Sequence, residues 1–256
     1  MTPSAHLSAA LDAAAAAAQV IGPMFQRNLA VTLKADKSPV TEADIAAEHV
    51  IRKLLEARFP DYGFQGEETG ARAVDAEYVW LVDPIDGTKA FVREYPMFST
   101  QIALLHRGRP IVGVSNAPAY GEMAWAERGQ GAWLGGRRLA VSTVSDLPSA
   151  ALSAGNLKTL AAGPAWERWG SLVARAGRIR GYGDFLHYHL LAAGKIDAVI
   201  ESDVNILDIA ALAVIVEEAG GRFTDLAGRS VGLHTTSVLA SNGALHEPIL
   251  AALRYG

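Results

Sequence analysis

Tyr78-Val79-Trp80-Leu81-Val82-Asp83-Pro84-Ile85-Asp86-Gly87-Thr88 is an apolar run that ends in two carboxylates. Its first five residues predict a short strand buried on both faces. Pro84 fixes the backbone between Asp83 and Asp86. Two carboxylates about 4 Å apart at an effective dielectric of about 20 repel by roughly 4 kcal/mol, and a cation between them removes that cost. Ligation by oxygen alone suits Mg²⁺ or Mn²⁺. Several carboxylates can hold ions about 3.5–4 Å apart, an arrangement suited to hydrolysing phosphate esters. A helix beginning near Thr88 would add free N–H groups in front of Asp86, where a phosphate could sit. The plainer alternative for Asp83 and Asp86 is an Asx-type turn.

Composition narrows the field. The chain has 256 residues, half of them hydrophobic and 20% charged, which suits one large domain or two closely packed halves. The formal net charge is -4 and no basic face stands out, so nucleic acid is not an expected partner. Arg137-Arg138 reads as a solvated turn. With no cysteine, disulfides, thiolate metal sites and a cysteine nucleophile are all excluded. The N-terminal stretch is alanine-rich and interrupted by Asp12, with no basic region ahead of it. It predicts a helix within the fold, with neither a signal peptide nor a membrane span, and a cytoplasmic location by default.

Working outward, Ser8 to Gln26 predicts a helix kinked or ended at Gly22-Pro23, and Ala35 to Val40 a loop. Thr41 with Asp44 reads as a capping box opening a helix that runs to about Phe59. Its apolar positions Ile45, Val50, Ile51, Leu54 and Leu55 suit a buried stripe. Tyr62 to Gly66 is an extended piece, and Ser99 to His106, Pro110 to Asn116 and Glu122 to Ala126 read as strands of a largely antiparallel sheet. Beyond a junction near Ser142 to Ser149, strands at Ala151 to Gly155 and Ala198 to Glu201 alternate with helices at Trp166 to Ala176 and Asp184 to Ala193. Asp208 opens a helix, Ile209 to Ala219, that is apolar on nearly every side and so should lie deep. The fold class is therefore mixed α/β (α+β), a single unit 1–256 with approximate halves 1–145 and 146–256.

Taken singly, the other acidic positions have ordinary readings: Asp208 and Asp184 as helix caps, Glu67-Glu68 as a solvated loop. Their order changes this. Gly66-Glu67-Glu68, Asp83-Pro84-Ile85-Asp86-Gly87-Thr88, Asp208-Ile209-Ala210-Ala211, Glu217-Glu218-Ala219-Gly220-Gly221 and Pro39-Val40-Thr41 with Asp44 together resemble the inositol monophosphatase superfamily, the lithium-sensitive magnesium phosphatases. The resemblance spans nearly the whole chain. Leu207 stands where the second motif usually carries tryptophan.

That resemblance implies a layered α-β-α-β-α sandwich, commonly a homodimer. It implies two or three Mg²⁺ ions held by Glu67, Asp83, the carbonyl of Ile85, Asp86 and Asp208. It gives Asp44 and Thr88 the task of orienting and deprotonating water, with Glu67 beside them at the catalytic centre, and Gly87 and Thr88 amides that of cradling phosphate. Three segments differ from the inositol enzymes: Lys89-Ala90-Phe91 where Thr-Asn-Phe is usual, Gly181-Tyr182-Gly183-Asp184-Phe185, and Phe98 to Ala103. These are similar to the histidinol-phosphate phosphatase branch. Lys89 then lies near the phosphate. Asp184 and Glu201, with Asp86 and Asp208 at the same substrate site, supply partners for a cationic amine or imidazole. The alternative is an inositol-1-phosphate or broad sugar-phosphate phosphatase, and a further one a regulatory RNA- or polymerase-associated relative. His187 and His189 read as structural or surface residues.

Overall fold

Ser4 caps the first helix, α1 (Ala5–Met24), by accepting from Leu7 N–H. The computed structural model describes residues 3–27, 31–33 and 39–253. The expected loop from Ala35 lies outside the described residues up to Ser38. Helix α1 starts earlier than the sequence suggests and passes through Pro23, which falls in the last turn. By length and composition α1 is apolar enough to cross a membrane. Here its Leu7, Ala10, Ala14, Ala17 and Ile21 are fully buried against the rest of the protein.

A small hairpin, β1 (Val31–Leu33) and β2 (Pro39–Thr41), leads into α2 (Glu42–Arg58) through the expected Thr41–Asp44 capping box. The buried stripe of α2 differs from the expected one. Ile45 is exposed, and the inner face is Ala43, Asp44, Ala47, Glu48, Ile51 and Leu55. Two acids replace apolar side chains there because both have hydrogen-bond work inside the fold.

The chain then forms β3 (Gly63–Gly66), β4 (Ala71–Arg72), β5 (Tyr78–Asp86), the short helix α3 (Thr88–Val92), β6 (Ser99–His106), β7 (Arg109–Ala117), β8 (Glu122–Glu127), β9 (Gly131–Leu134) and β10 (Arg137–Arg138). These eight strands make one sheet in the order β10-β9-β8-β7-β6-β5-β3-β4, antiparallel except for the β3–β5 pair. Arg137 and Arg138, read as a turn, are an edge strand with both side chains exposed.

The second half contributes β11 (Ala151–Ala154), α4 (Leu157–Ala162), α5 (Trp166–Arg175), β12 (Arg178–Arg180), α6 (Asp184–Ala192), β13 (Ala198–Ser202), α7 (Ile206–Glu218), β14 (Arg222–Thr224), β15 (Ser237–Ser241) and α8 (His246–Leu253). Its sheet runs β12-β11-β13-β15-β14, with β11 parallel to both neighbours. Helix α7 begins at Ile206 with Asn205 as its cap, so Asp208 is the third helical residue, not the opener.

Three cores fix the layering. One joins α1 and α2 to a face of the large sheet. The second packs α6 and α7 between the two sheets, and every residue from Ile209 to Val216 is buried there. The third sets α5 and α8 on the outer face of the small sheet. The result is the α-β-α-β-α sandwich, in which the two halves share their middle layer.

Candidate active site

The cleft is built on an irregularity in β5. Asp83 pairs with Gln101 of β6, and Asp86 pairs with Ser99. Three steps along β5 thus match two along β6, so one residue is extra. Residues three apart on a regular strand point to opposite faces. The bulge turns Asp83 and Asp86 towards the same cleft, which both line. Thr100 Oγ1 donates to the Pro84 carbonyl at 2.8 Å, and Ile85 N–H donates to Asp83 Oδ1 at 3.0 Å. These bonds hold the bulge open.

Asp208 arrives from the first turn of α7. The Asn205 backbone N–H donates to its Oδ2 at 2.9 Å and the Asn205 side-chain amide to its Oδ1 at 2.7 Å. One carboxylate oxygen from each of Asp83, Asp86 and Asp208 lies within 4.8 Å of the others. Glu67 follows β3, its N–H bonded to the Val82 carbonyl at 3.2 Å, and faces the same cleft. Burial, then the charges of Glu67, Asp86 and Asp208, push the Asp83 carboxyl well above the usual range. Burial, then Asp208, Asp184 and Glu201, do the same to Asp86. Burial raises Asp208 to about 7 even though Asn205 opposes the shift.

Thr88 is the first residue of α3, after Gly87. Gly87 has φ 94°, and a Cβ there would meet the Met97 carbonyl oxygen, so glycine is required. Thr88 Oγ1 lies 3.2 Å from Asp44 Oδ1 and 3.0 Å from the Ile85 carbonyl oxygen. Asp44 Oδ2 accepts from the Thr41 N–H at 2.9 Å and its hydroxyl at 2.6 Å. Burial raises the Asp44 carboxyl despite these bonds. The expected Asp44–Thr88 pair is thus in contact, although 44 residues separate its members.

The cleft is open to solvent and has a volume of about 290 Å³ among Glu67, Asp83, Ile85, Asp86, Gly87, Thr88, Lys89, Asp184 and Asp208. Its inner wall adds Glu201 and Tyr188. Burial and then Glu201 raise Asp184 to about 6, while His187 and Lys89 pull it down. Every site position named from the sequence therefore belongs to this region. The sequence reading missed Asn156, Asp203, Tyr188 and Glu48. Glu48 is wholly buried, one turn beyond Asp44, and accepts from Glu68 N–H at 2.8 Å and Thr69 N–H at 2.6 Å. It anchors the loop that carries Glu67. Its place four residues after Asp44 was the available signal, because i and i+4 share a helix face.

Four helices, α2, α3, α6 and α7, bring first-turn residues here: Asp44, Thr88, Asp184 and Asp208. Helix N-termini favour anions. The crowded carboxylates could hold a counter-cation, and their oxygen donors suit a hard divalent one. Cations and an anion in one cleft are what phosphate-ester hydrolysis requires.

Fold and site together define a metal-dependent phosphatase. The chain belongs to the inositol monophosphatase family, whose profile matches residues 3–255. It is 44% identical to the histidinol-phosphatase of Mycobacterium tuberculosis over 234 residues, 90% of either chain. It is 40% identical to the histidinol-phosphatase of Streptomyces coelicolor over 241 residues, 88% of either chain. The crystal structure of the extragenic suppressor protein suhB from Bartonella henselae superposes with a TM-score of 0.91 at 31% identity, covering 99% of this chain and 100% of that one.

Proposed function

We propose that this protein is a Mg²⁺-dependent histidinol-phosphatase, releasing phosphate from L-histidinol phosphate. The observation that carries the substrate is Asp184. It stands in the cleft wall with Glu201, close enough that repulsion from Glu201 helps to raise its carboxyl, and both line the cleft beside Asp86 and Asp208. A substrate ammonium would relieve that repulsion by pairing with them. A neutral polyol would not. The similarity to two histidinol-phosphatases supports the same choice.

In this reading Glu67, Asp83, the Ile85 carbonyl, Asp86 and Asp208 hold the cations. Bound there, divalent cations neutralise the phosphate and polarise its ester bond. The chain's own groups do the rest. Thr88 gives its hydroxyl proton towards Asp44, which leaves its oxygen able to accept from the attacking water. The proton of that water passes to Thr88 as the Thr88 proton passes to Asp44. The water oxygen forms the new P–O bond, the bond to the histidinol oxygen breaks, and that oxygen leaves with a proton from solvent. Backbone amides at Gly87 and Thr88 receive the phosphate oxygens, with Lys89 at the rim.

The test compares phosphate release from L-histidinol phosphate and inositol 1-phosphate at matched Mg²⁺. We expect kcat/KM to favour the histidinol ester by about tenfold or more, the effect of roughly one ion pair. Equal or greater efficiency on the inositol ester would overturn the substrate assignment.

A further inference from the structure

We propose that His187 is a positioning residue for substrate selection, tying Glu201 to the turn that presents Asp184. This rests on the substrate reading above. His187 lies on α6 and is wholly buried. Its Nε2 is 3.0 Å from Glu201 Oε2, and its Nδ1 is 3.3 Å from Ser153 Oγ. Ser153 Oγ in turn accepts from the Tyr182 backbone N–H at 3.2 Å. The directions of these bonds follow from their chemistry. A carboxylate oxygen only accepts, so Nε2 carries a proton, and in the neutral ring Nδ1 accepts from the Ser153 hydroxyl. The chain therefore runs Tyr182 to Ser153 to His187 to Glu201, each donor matched to an acceptor.

Glu201 Oε2 also accepts from the Tyr188 hydroxyl at 2.6 Å. Both bonds load one oxygen. Oε1 packs against Gly155, where any Cβ would collide with it. The network thus holds the Glu201 carboxylate in one orientation in the cleft wall that it lines. At the other end, Tyr182 precedes Gly183 and Asp184. Asp184 opens α6 at φ 45°, in the left-handed region. A non-glycine residue there is strained and persists only if its surroundings hold it. The Tyr182–Ser153 bond lies two residues away. One imidazole thereby joins the two carboxylates that face the substrate's cation.

The test measures L-histidinol phosphate and p-nitrophenyl phosphate, which carries no cation, on His187→Phe. For the histidinol ester we expect KM to rise about tenfold with kcat within about twofold, and both constants for the aryl ester to stay within about twofold. Ser153→Ala, which removes only a hydroxyl, should shift KM the same way by about threefold, and it carries the test if the ring replacement unfolds the chain. In a Glu201→Gln background His187→Phe should add clearly less than it does alone, since one end of the tie it makes is gone. Equal losses on both esters, no change on either, or a full His187→Phe effect without Glu201 would each overturn the proposal. Wild type in the same panel with inositol 1-phosphate separates the two claims. If it prefers the inositol ester, the substrate reading fails. The His187 role then stands only if His187→Phe raises KM for that ester and not for the aryl one.

Discussion

Asp83 is the most deeply buried of the three clustered aspartates, and the charges that act on it most strongly, Glu67, Asp86 and Asp208, are all negative. Its carboxylate is tolerable to the fold chiefly for what it binds. Asp83→Asn should therefore lower kcat/KM by about a thousandfold or more while leaving the metal-free protein as stable as wild type or more so, because a strained functional charge is gone. Phosphate-release kinetics beside thermal melts in chelator checks both halves; retained turnover with normal metal affinity would count against the ligand role. Much at this scale was readable in the sequence. Asp83, Asp86, Gly87 and Thr88 are contiguous, and Glu67 and Asp208 sit in recognisable local order. Glu48, Asn156 and Asp203 were not, because their partners come from distant segments. Glu48 in particular looks like a solvated helix acid until the loop at Glu68 and Thr69 folds onto it.

Periodicity found most helices and the long strands, but it missed what aims them. The bulge that turns Asp83 and Asp86 to one side has no signature in a period-two pattern, and the strand was expected to end at Val82 although β5 continues to Asp86. The opening of α7 was misread for a related reason. Asp208 has a capping residue's chemistry but serves the third position of a box that begins at Asn205. Also missed were β14, β15 and α8, which are short and rely on one another. Buried His246 joins them, with Ser241 Oγ 2.9 Å from Nδ1 and Thr224 Oγ1 2.9 Å from Nε2. Burial, with Arg222 adding, lowers its pKa from 6.5 to about 4. A depressed histidine means that the unfolded chain binds the extra proton first. Its contribution to stability is complete above pH 6.5 and falls as the pH drops from there towards about 4. Melting temperature followed across that window should decline in wild type, and the decline should be shallower in His246→Gln. Parallel curves for the two proteins would exclude this residue as a source of acid lability.

The layered arrangement explains why the site lies where it does. The middle helices α6 and α7 serve both sheets, so Asp184 and Asp208 reach the cleft from one half while Asp83, Asp86 and Thr88 reach it from the other. No linear stretch could reveal that junction. What the sequence did carry was the order of motifs, and their resemblance to a known family supplied the layering that composition and periodicity left open. A cleft that gathers negative side chains and helix N-termini from both halves is poised for cations and a phosphate together. The most direct test is phosphate release from L-histidinol phosphate by protein stripped with a chelator and then titrated with Mg²⁺. Release should be absent after stripping and return as Mg²⁺ is added. Undiminished release without divalent cations, or no release at any Mg²⁺ concentration, would contradict the assignment.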